Sequence, residues 1–217
     1  MFEMPKTVEA PEELHPMIEA LESQYETILN NQMEFRPEEG RVHLAGKNIM
    51  LIALETIAVT LKEELVEVLG ENGMTLLMYR VGKAFGRTAA QQILPIIETG
   101  KLAEKLVAGP IYAAYSGFVR VRLLPGCNIV DNDDYFLFYE HPNNFESDLW
   151  TQAGKTANEP ICSFNAGYSA GWCSEAVGLD LDATEILCEA AGDSSCRFIM
   201  YPASRTMEYM DKADEYK

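Results

Sequence analysis

The chain predicts an α+β domain, with helices packed on an antiparallel sheet. Three observations point there. Apolar residues recur at helical spacing through the first half of the chain. From Ser116 onward, short alternating or apolar runs are separated by turn residues. The order is helices, a hairpin, helices and a second hairpin, which is not the regular strand–helix alternation of a parallel sheet.

Residues 1–10 read as frayed. Pro11-Glu12-Glu13 opens an acidic helix that runs to about Gln32, and Leu14, Ile18, Leu21, Tyr25, Ile28 and Leu29 give it one apolar face. Arg36-Pro37-Glu38-Glu39-Gly40 breaks it, so residues 1–40 read as a separable helical extension, free to act as a dimerisation arm. Arg41–Leu44 reads as a short strand and Gly46-Lys47-Asn48 as a turn. A long helix then spans about 48–69, with Ile49, Ile52, Ala53, Ile57, Leu61, Leu65 and Val68 inward and Gly70 as its stop. The next runs from about 72 to Pro95, and a short one, about 97–107, ends at Gly109-Pro110.

Ser116–Leu124 has the period of a half-buried strand, with Phe118, Arg120 and Arg122 opposite Val119, Val121 and Leu123. Pro125-Gly126 and Asp131-Asn132-Asp133-Asp134 are turns around an aromatic strand at Tyr135–Tyr139. A helix starts near Asn143-Asn144 with Asn as its cap, and another spans about 159–177 and stops at Gly178. Two strands, about 183–190 and 196–201, flank Gly192-Asp193-Ser194-Ser195. Residues 202–217 form a polar tail with some helical character.

Composition narrows the function classes. Of 217 residues, 47% are hydrophobic, enough for a core. The net charge of -17, from 17 basic and 34 acidic residues, leaves little room for a basic face, so nucleic acid and anionic membrane surfaces are unexpected partners. No apolar run is long enough for a membrane span, and the N-terminus lacks the pattern of a signal peptide, so a cytoplasmic protein is expected.

Five cysteines, an odd number with four in the last third, argue against a disulfide framework and toward metal or redox chemistry. Cys188 and Cys196 flank a Gly-Asp turn that can bring two sulfurs to one ion. The three histidines, at 15, 43 and 141, all precede this region, which leaves Cys162, Cys173 and Glu185 to complete a tetrahedron. Against this stands the reading of buried, inert thiols. Glu185 and Cys188 are three apart in a strand and face opposite ways unless a bulge or strand end intervenes.

Gly82/Gly86 and Gly167/Gly171 place glycines four apart on helices, a pattern of close helix packing. Gly154-Lys155-Thr156 lacks the first glycine of a phosphate-binding loop, because Leu149 stands there. Gly167-Tyr168-Ser169-Ala170-Gly171 spells a nucleophile elbow, but inside a helix rather than at a strand-to-helix turn. Aromatics concentrate between 112 and 172; most belong to the core, while Tyr112, Phe138, Tyr168 and Trp172 are candidates to line an apolar pocket.

The stretch from Gly167-Tyr168-Ser169-Ala170-Gly171 through Glu185-x2-Cys188 and Ala191-Gly192-Asp193-x2-Cys196-Arg197-Phe198 resembles the 4-vinyl reductase domain family. Arg41–Leu44 through Leu65–Gly70 resembles the first half of that family's aromatic-sensing domains, found in bacterial activators responsive to phenol and xylene. The likeness covers residues 41–201, taken as the ligand-binding domain. It implies an α+β fold related to vesicle-tethering subunits and nitric-oxide-signalling domains, a homodimer, and a structural zinc ion on Cys162, Glu185, Cys188 and Cys196, with Cys173 spare. The phenol sensors hold the hydroxyl with a His and a Trp beside a Tyr, and those positions fall near Ala113, His141 and Ala183 here. The His is therefore lost and the Trp replaced, which points to a larger or more apolar ligand with His141 as the polar candidate.

The preferred function is a stand-alone binding or sensor domain for a small apolar or aromatic molecule, acting through a protein signalling partner rather than as an enzyme. One branch of the family suggests instead an enzyme or accessory in tetrapyrrole vinyl reduction, although no dinucleotide fingerprint appears. A ligand-free scaffold is the third reading.

Overall fold

The computed structural model describes residues 5–217. The fold is α+β. Its principal sheet has five strands in the order β1 (Val8–Glu9), β5 (Val121–Leu123), β6 (Leu137–Glu140), β8 (Arg197–Pro202) and β7 (Leu181–Leu187). A small second sheet joins β2 (Met33–Arg36), β3 (Arg41–Leu44) and β4 (Lys47–Ile49). The helices are α1 (His15–Gln32), α2 (Leu61–Ile93), α3 (Leu102–Tyr115), α4 (Phe145–Gln152), α5 (Ser163–Val177) and α6 (Thr206–Asp211).

Local chemistry explains several boundaries. Asn144 caps α4 by accepting the Glu146 N–H at 3.1 Å. Gly178, in the left-handed region at φ 81°, ends α5. Gly70, at φ 72°, breaks α2 where a helix stop was expected, and the chain resumes helix beyond it. A π-helical turn, Thr56–Thr60, leads into α2.

The principal sheet departs from the expected antiparallel one at its edge, because β1 pairs in parallel with β5. Residues 5–10 are thus not frayed: Thr7 and Val8 are buried, and the buried Glu22 carboxylate accepts both the Thr7 N–H and hydroxyl, at 2.8 and 2.6 Å. Residues 1–4 lie outside the described residues. The helix expected from 48 begins later, since Lys47–Ile49 pairs with β3. Its phase also differs. Ile52, Leu61 and Val68 are exposed, and the buried stripe is Ala58, Val59 and Lys62, continuing beyond Gly70 with Met74 and Met78. The helix expected to end at Gly109-Pro110 runs through Pro110 to Tyr115, because Ile111 and Ala113 are buried in the core. The missing Pro110 N–H costs one helical bond, and the packing outweighs it.

The expected boundary at residue 40 does not separate two cores. The apolar face of α1, with Ile18, Leu21, Tyr25 and Ile28, is buried with α3 and the sheet in one cluster. At the other end, Tyr209 of α6 stacks on Tyr201 of β8 at 4.6 Å. Among the described residues no helix is long and apolar enough to cross a membrane.

The tightest seam lies between α2 and α5. A Cβ on Gly82 would sit 2.1 Å from the Phe164 carbonyl oxygen, and one on Gly86 2.0 Å from that of Tyr168. In return, Gly167 faces the Tyr79 carbonyl and Gly171 that of Lys83, each at 2.0 Å. The glycine pairs seen in the sequence therefore let two backbones touch. Gly→Ala in a helix ordinarily gains about 1 kcal/mol. Here rigid backbone is in the way, and overpacking of this kind costs about 1–3 kcal/mol or more. Gly171→Ala is expected to lower the urea midpoint; an unchanged or raised midpoint would mean that α2 and α5 do not meet this closely.

Candidate functional site

Cys162 occupies the N-cap position of α5 and is fully buried. Glu185 lies on β7 where the register with β8 slips between Glu185 and Leu187, and Cys188 follows the strand end. The bulge and the strand end turn both side chains toward Cys162. Cys196 precedes β8. The Gly192 turn, at φ 98°, folds Cys196 back onto Cys188. Asp193 braces the turn by accepting the Cys188 N–H at 2.8 Å.

One donor atom from each of Cys162, Glu185, Cys188 and Cys196 lies within 4.8 Å of the others. Cys162 Sγ is 3.8 Å from both Cys188 Sγ and Cys196 Sγ. Zn–S bonds of about 2.3 Å in a tetrahedron imply S···S edges of about 3.8 Å. The same separation is far too long for a disulfide, whose bond is about 2.05 Å. Glu185 Oε2 accepts the Cys162 N–H at 2.7 Å, whereas Oε1 is buried with no hydrogen-bond partner. An orphaned carboxylate oxygen beside three thiols fits a cation.

The electrostatics agree. Burial pushes the Cys162 thiol and the Glu185 carboxyl well above their ordinary ranges. Hydrogen bonds from Cys162 and Cys196 pull the Cys188 thiol down. A divalent cation among these four donors would offset the negative charge that their deprotonation brings into a buried space.

A separate apolar cavity of about 100 Å³ lies between the sheet and helices α1, α3 and α5. Leu106, Val107 and Ala113 of α3 form one wall, and Val121, Tyr139 and Met200 of the sheet another. Tyr168, Ser169, Trp172 and Cys173 of α5 close the third side, and Val8 and Met17 cover it. No charged side chain lines it among the described residues. The Tyr168 hydroxyl is buried without a hydrogen-bond partner. An engineered cavity of about 150 Å³ admits benzene, so this one is sized for a single ring at most and must widen slightly to take it.

Of the expected pocket residues, Ala113, Tyr168 and Trp172 line this cavity and four others do not. Phe138 alternates with Tyr139 along β6 and points to the opposite face, against Phe136 and Tyr216. Tyr112 backs Trp172, stacked at 5.9 Å, with its other neighbour Tyr25 at 5.8 Å. Ala183 lines an outer groove with Tyr79, whose hydroxyl accepts the Ala183 N–H at 3.1 Å. His141 is buried against Phe198 and Tyr139, both ring nitrogens lack partners, and burial lowers its pKa to about 3. It is a neutral core histidine outside the cavity lining. Sequence reasoning missed Val8 and Met200, which reach the cavity through strand pairing with distant partners, and Met17, which α1 carries there.

Residues 29–125 match the family described as an activator of aromatic catabolism, and residues 143–202 match the 4-vinyl reductase domain. The chain is 26% identical over 171 residues to the transcriptional regulatory protein XylR of Pseudomonas putida, covering 79% of this chain and 30% of that protein. It is 25% identical over 187 residues to the phenol regulator MopR of Acinetobacter guillouiae, covering 86% and 32%. The chain thus spans about a third of the length of these curated relatives. A crystal structure of the phenol-responsive sensory domain of the transcription activator PoxR with phenol shares the fold, with a TM-score of 0.75 at 23% identity over 93% of this chain and 97% of that one. The two family models thus match in tandem along the chain, the aromatic-activator segment first and the 4-vinyl reductase domain after it.

Removing an unpaired buried hydroxyl relieves a desolvation penalty of about 1–3 kcal/mol. In ligand-free protein Tyr168→Phe is therefore expected to match or exceed the wild type in denaturant; a clear loss of stability would mean that the hydroxyl has a partner.

Proposed function

We propose that this chain is a sensor domain that holds a small, uncharged apolar or aromatic molecule in the cavity beside α5, with a structural zinc ion on Cys162, Glu185, Cys188 and Cys196. The carrying observation is that one helix serves both sites. Its first residue follows Cys162, and its buried face presents Tyr168 and Trp172 to the cavity. Four protein donors would fill a tetrahedron, so the ion would tie the β7–β8 turn to α5 and leave no open position for chemistry. The relatives are named as regulators, which supports binding rather than catalysis. A tetrapyrrole greatly exceeds the cavity. The unfilled interior and the orphaned Tyr168 hydroxyl weigh against a collapsed scaffold.

The reading includes a second copy of the chain as partner. Leu77, Val81 and Phe85 recur every four residues along α2 and are all exposed, which gives a second copy an apolar face to pack on. A protein signalling partner and a cytoplasmic setting belong to the same reading.

A thermal-shift titration with benzene, toluene, phenol and cyclohexane tests the ligand. Saturation at a hundred times Kd stabilises by about 2.7 kcal/mol, which for a chain of this size raises Tm by roughly 5–10 °C. At least one probe should shift the wild type, and Ala113→Leu, which fills the cavity, should abolish the shift. No shift with any probe, or a shift that survives Ala113→Leu, would remove the cavity from the account. For the metal, Cys188→Ser and Cys196→Ser should each melt well below the wild type, because metal binding is coupled to folding; a wild-type Tm in either would contradict it.

A further inference from the structure

A buried ion pair stands behind the candidate metal centre. The Lys62 and Glu146 side chains are both fully buried, and Lys62 Nζ lies 2.8 Å from Glu146 Oε1. Taking two charges out of water is expensive, and burial of the pair is by itself weak support for stability. Their remaining bonds converge on the backbone around one residue. Lys62 Nζ also donates to the carbonyl oxygen of Ile161, immediately before Cys162, at 2.7 Å. Glu146 accepts the N–H groups of Phe164 at 3.3 Å and Asn165 at 2.7 Å, in the first turn of α5 just after Cys162. These amides have no partner within their own helix, and a carboxylate is favoured at a helix N-terminus.

The next residue extends the support. Ser147 Oγ is 3.3 Å from Cys196 Sγ and also donates to the Asn144 carbonyl oxygen at 3.1 Å. Asn144 Oδ1 accepts from the Asn165 side chain at 2.6 Å and from the Glu146 N–H at 3.1 Å. Asn144, Glu146 and Asn165 are wholly buried. Lys62 enters from the start of α2, directly after the π-helical turn. Two elements distant in sequence from the cysteines therefore grip the backbone on both sides of Cys162.

We infer that Lys62 and Glu146 are positioning residues for the metal centre: the pair holds the Ile161 carbonyl and the first turn of α5 so that Cys162 faces Glu185, Cys188 and Cys196. The inference rests on the proposed zinc site. Support of this outer kind commonly sets metal affinity by about 10–100-fold when removed. It also makes α2 the element through which the metal centre and the cavity-lining helix are tied to the rest of the fold.

The test compares zinc affinity, by competition with a chromophoric chelator, in wild type, Lys62→Met, Glu146→Gln and Leu21→Ala. The last truncates the α1 core far from the cysteines and serves as a control for general destabilisation. Exchange of the Phe164 and Asn165 amides is followed in the metal-free proteins. Lys62→Met and Glu146→Gln should each bind zinc about 10–100-fold more weakly, with faster exchange at those two amides, while Leu21→Ala keeps wild-type affinity and exchange there. If Lys62→Met does not fold, Glu146→Gln carries the comparison. Wild-type affinity in both variants, or equal weakening in Leu21→Ala, overturns the inference. A wild type that takes up no zinc overturns the metal reading instead; the positioning of α5 is then decided by exchange alone, and unchanged exchange refutes it.

Discussion

The contact on which the rest of the structure depends is the glycine seam between α2 and α5. Four missing side chains let the backbones meet, and any Cβ there would collide with a carbonyl. Once α5 is laid against α2, its two ends have no freedom. Cys162 comes to the bulge of β7, and Tyr168 and Trp172 come to the sheet-facing side. Packing therefore precedes chemistry in this fold: the seam chooses where the thiols and the cavity wall stand.

The seam is made of dispersion contacts, which are individually small, whereas the cluster at the start of α5 is electrostatically demanding. Three thiols and a carboxyl with an orphaned oxygen share a space within 4.8 Å. On the proposed reading, a cation at its centre would turn that liability into a crosslink between the last hairpin and α5. The cavity on the same helix makes the opposite demand. It offers apolar wall and the unpaired hydroxyls of Tyr139 and Tyr168, so an uncharged guest gains by filling it and a charged one loses its hydration.

Much of this was legible in the sequence where the cause is local. The Asn144 cap, the Gly70 break, the Gly178 stop and the Gly-Asp turn act within a few residues, and the glycine pairs announced a close helix seam. What was not legible depends on distant partners. Val8 looks like part of a loose end until β5 lies beside it. The apolar positions after residue 48 offer more than one phase, and burial of Lys62 requires Glu146, far along the chain, to be known. For the metal centre the donor types could be read off, and so could the need for a bulge or strand end between Glu185 and Cys188; that β7 carries the register slip at Glu185 could not. For the cavity, Phe138 failed because strand alternation turns on a register of one residue, and His141 because nothing local says whether a buried ring faces a space or a neighbour.

The central claim is that a metal ion joins α5 to the last hairpin. Native mass spectrometry of the purified protein, compared with its mass after denaturation, tests it most directly. The account predicts one zinc per chain in the folded species, released on unfolding. A chain that retains its fold and carries no metal would contradict it.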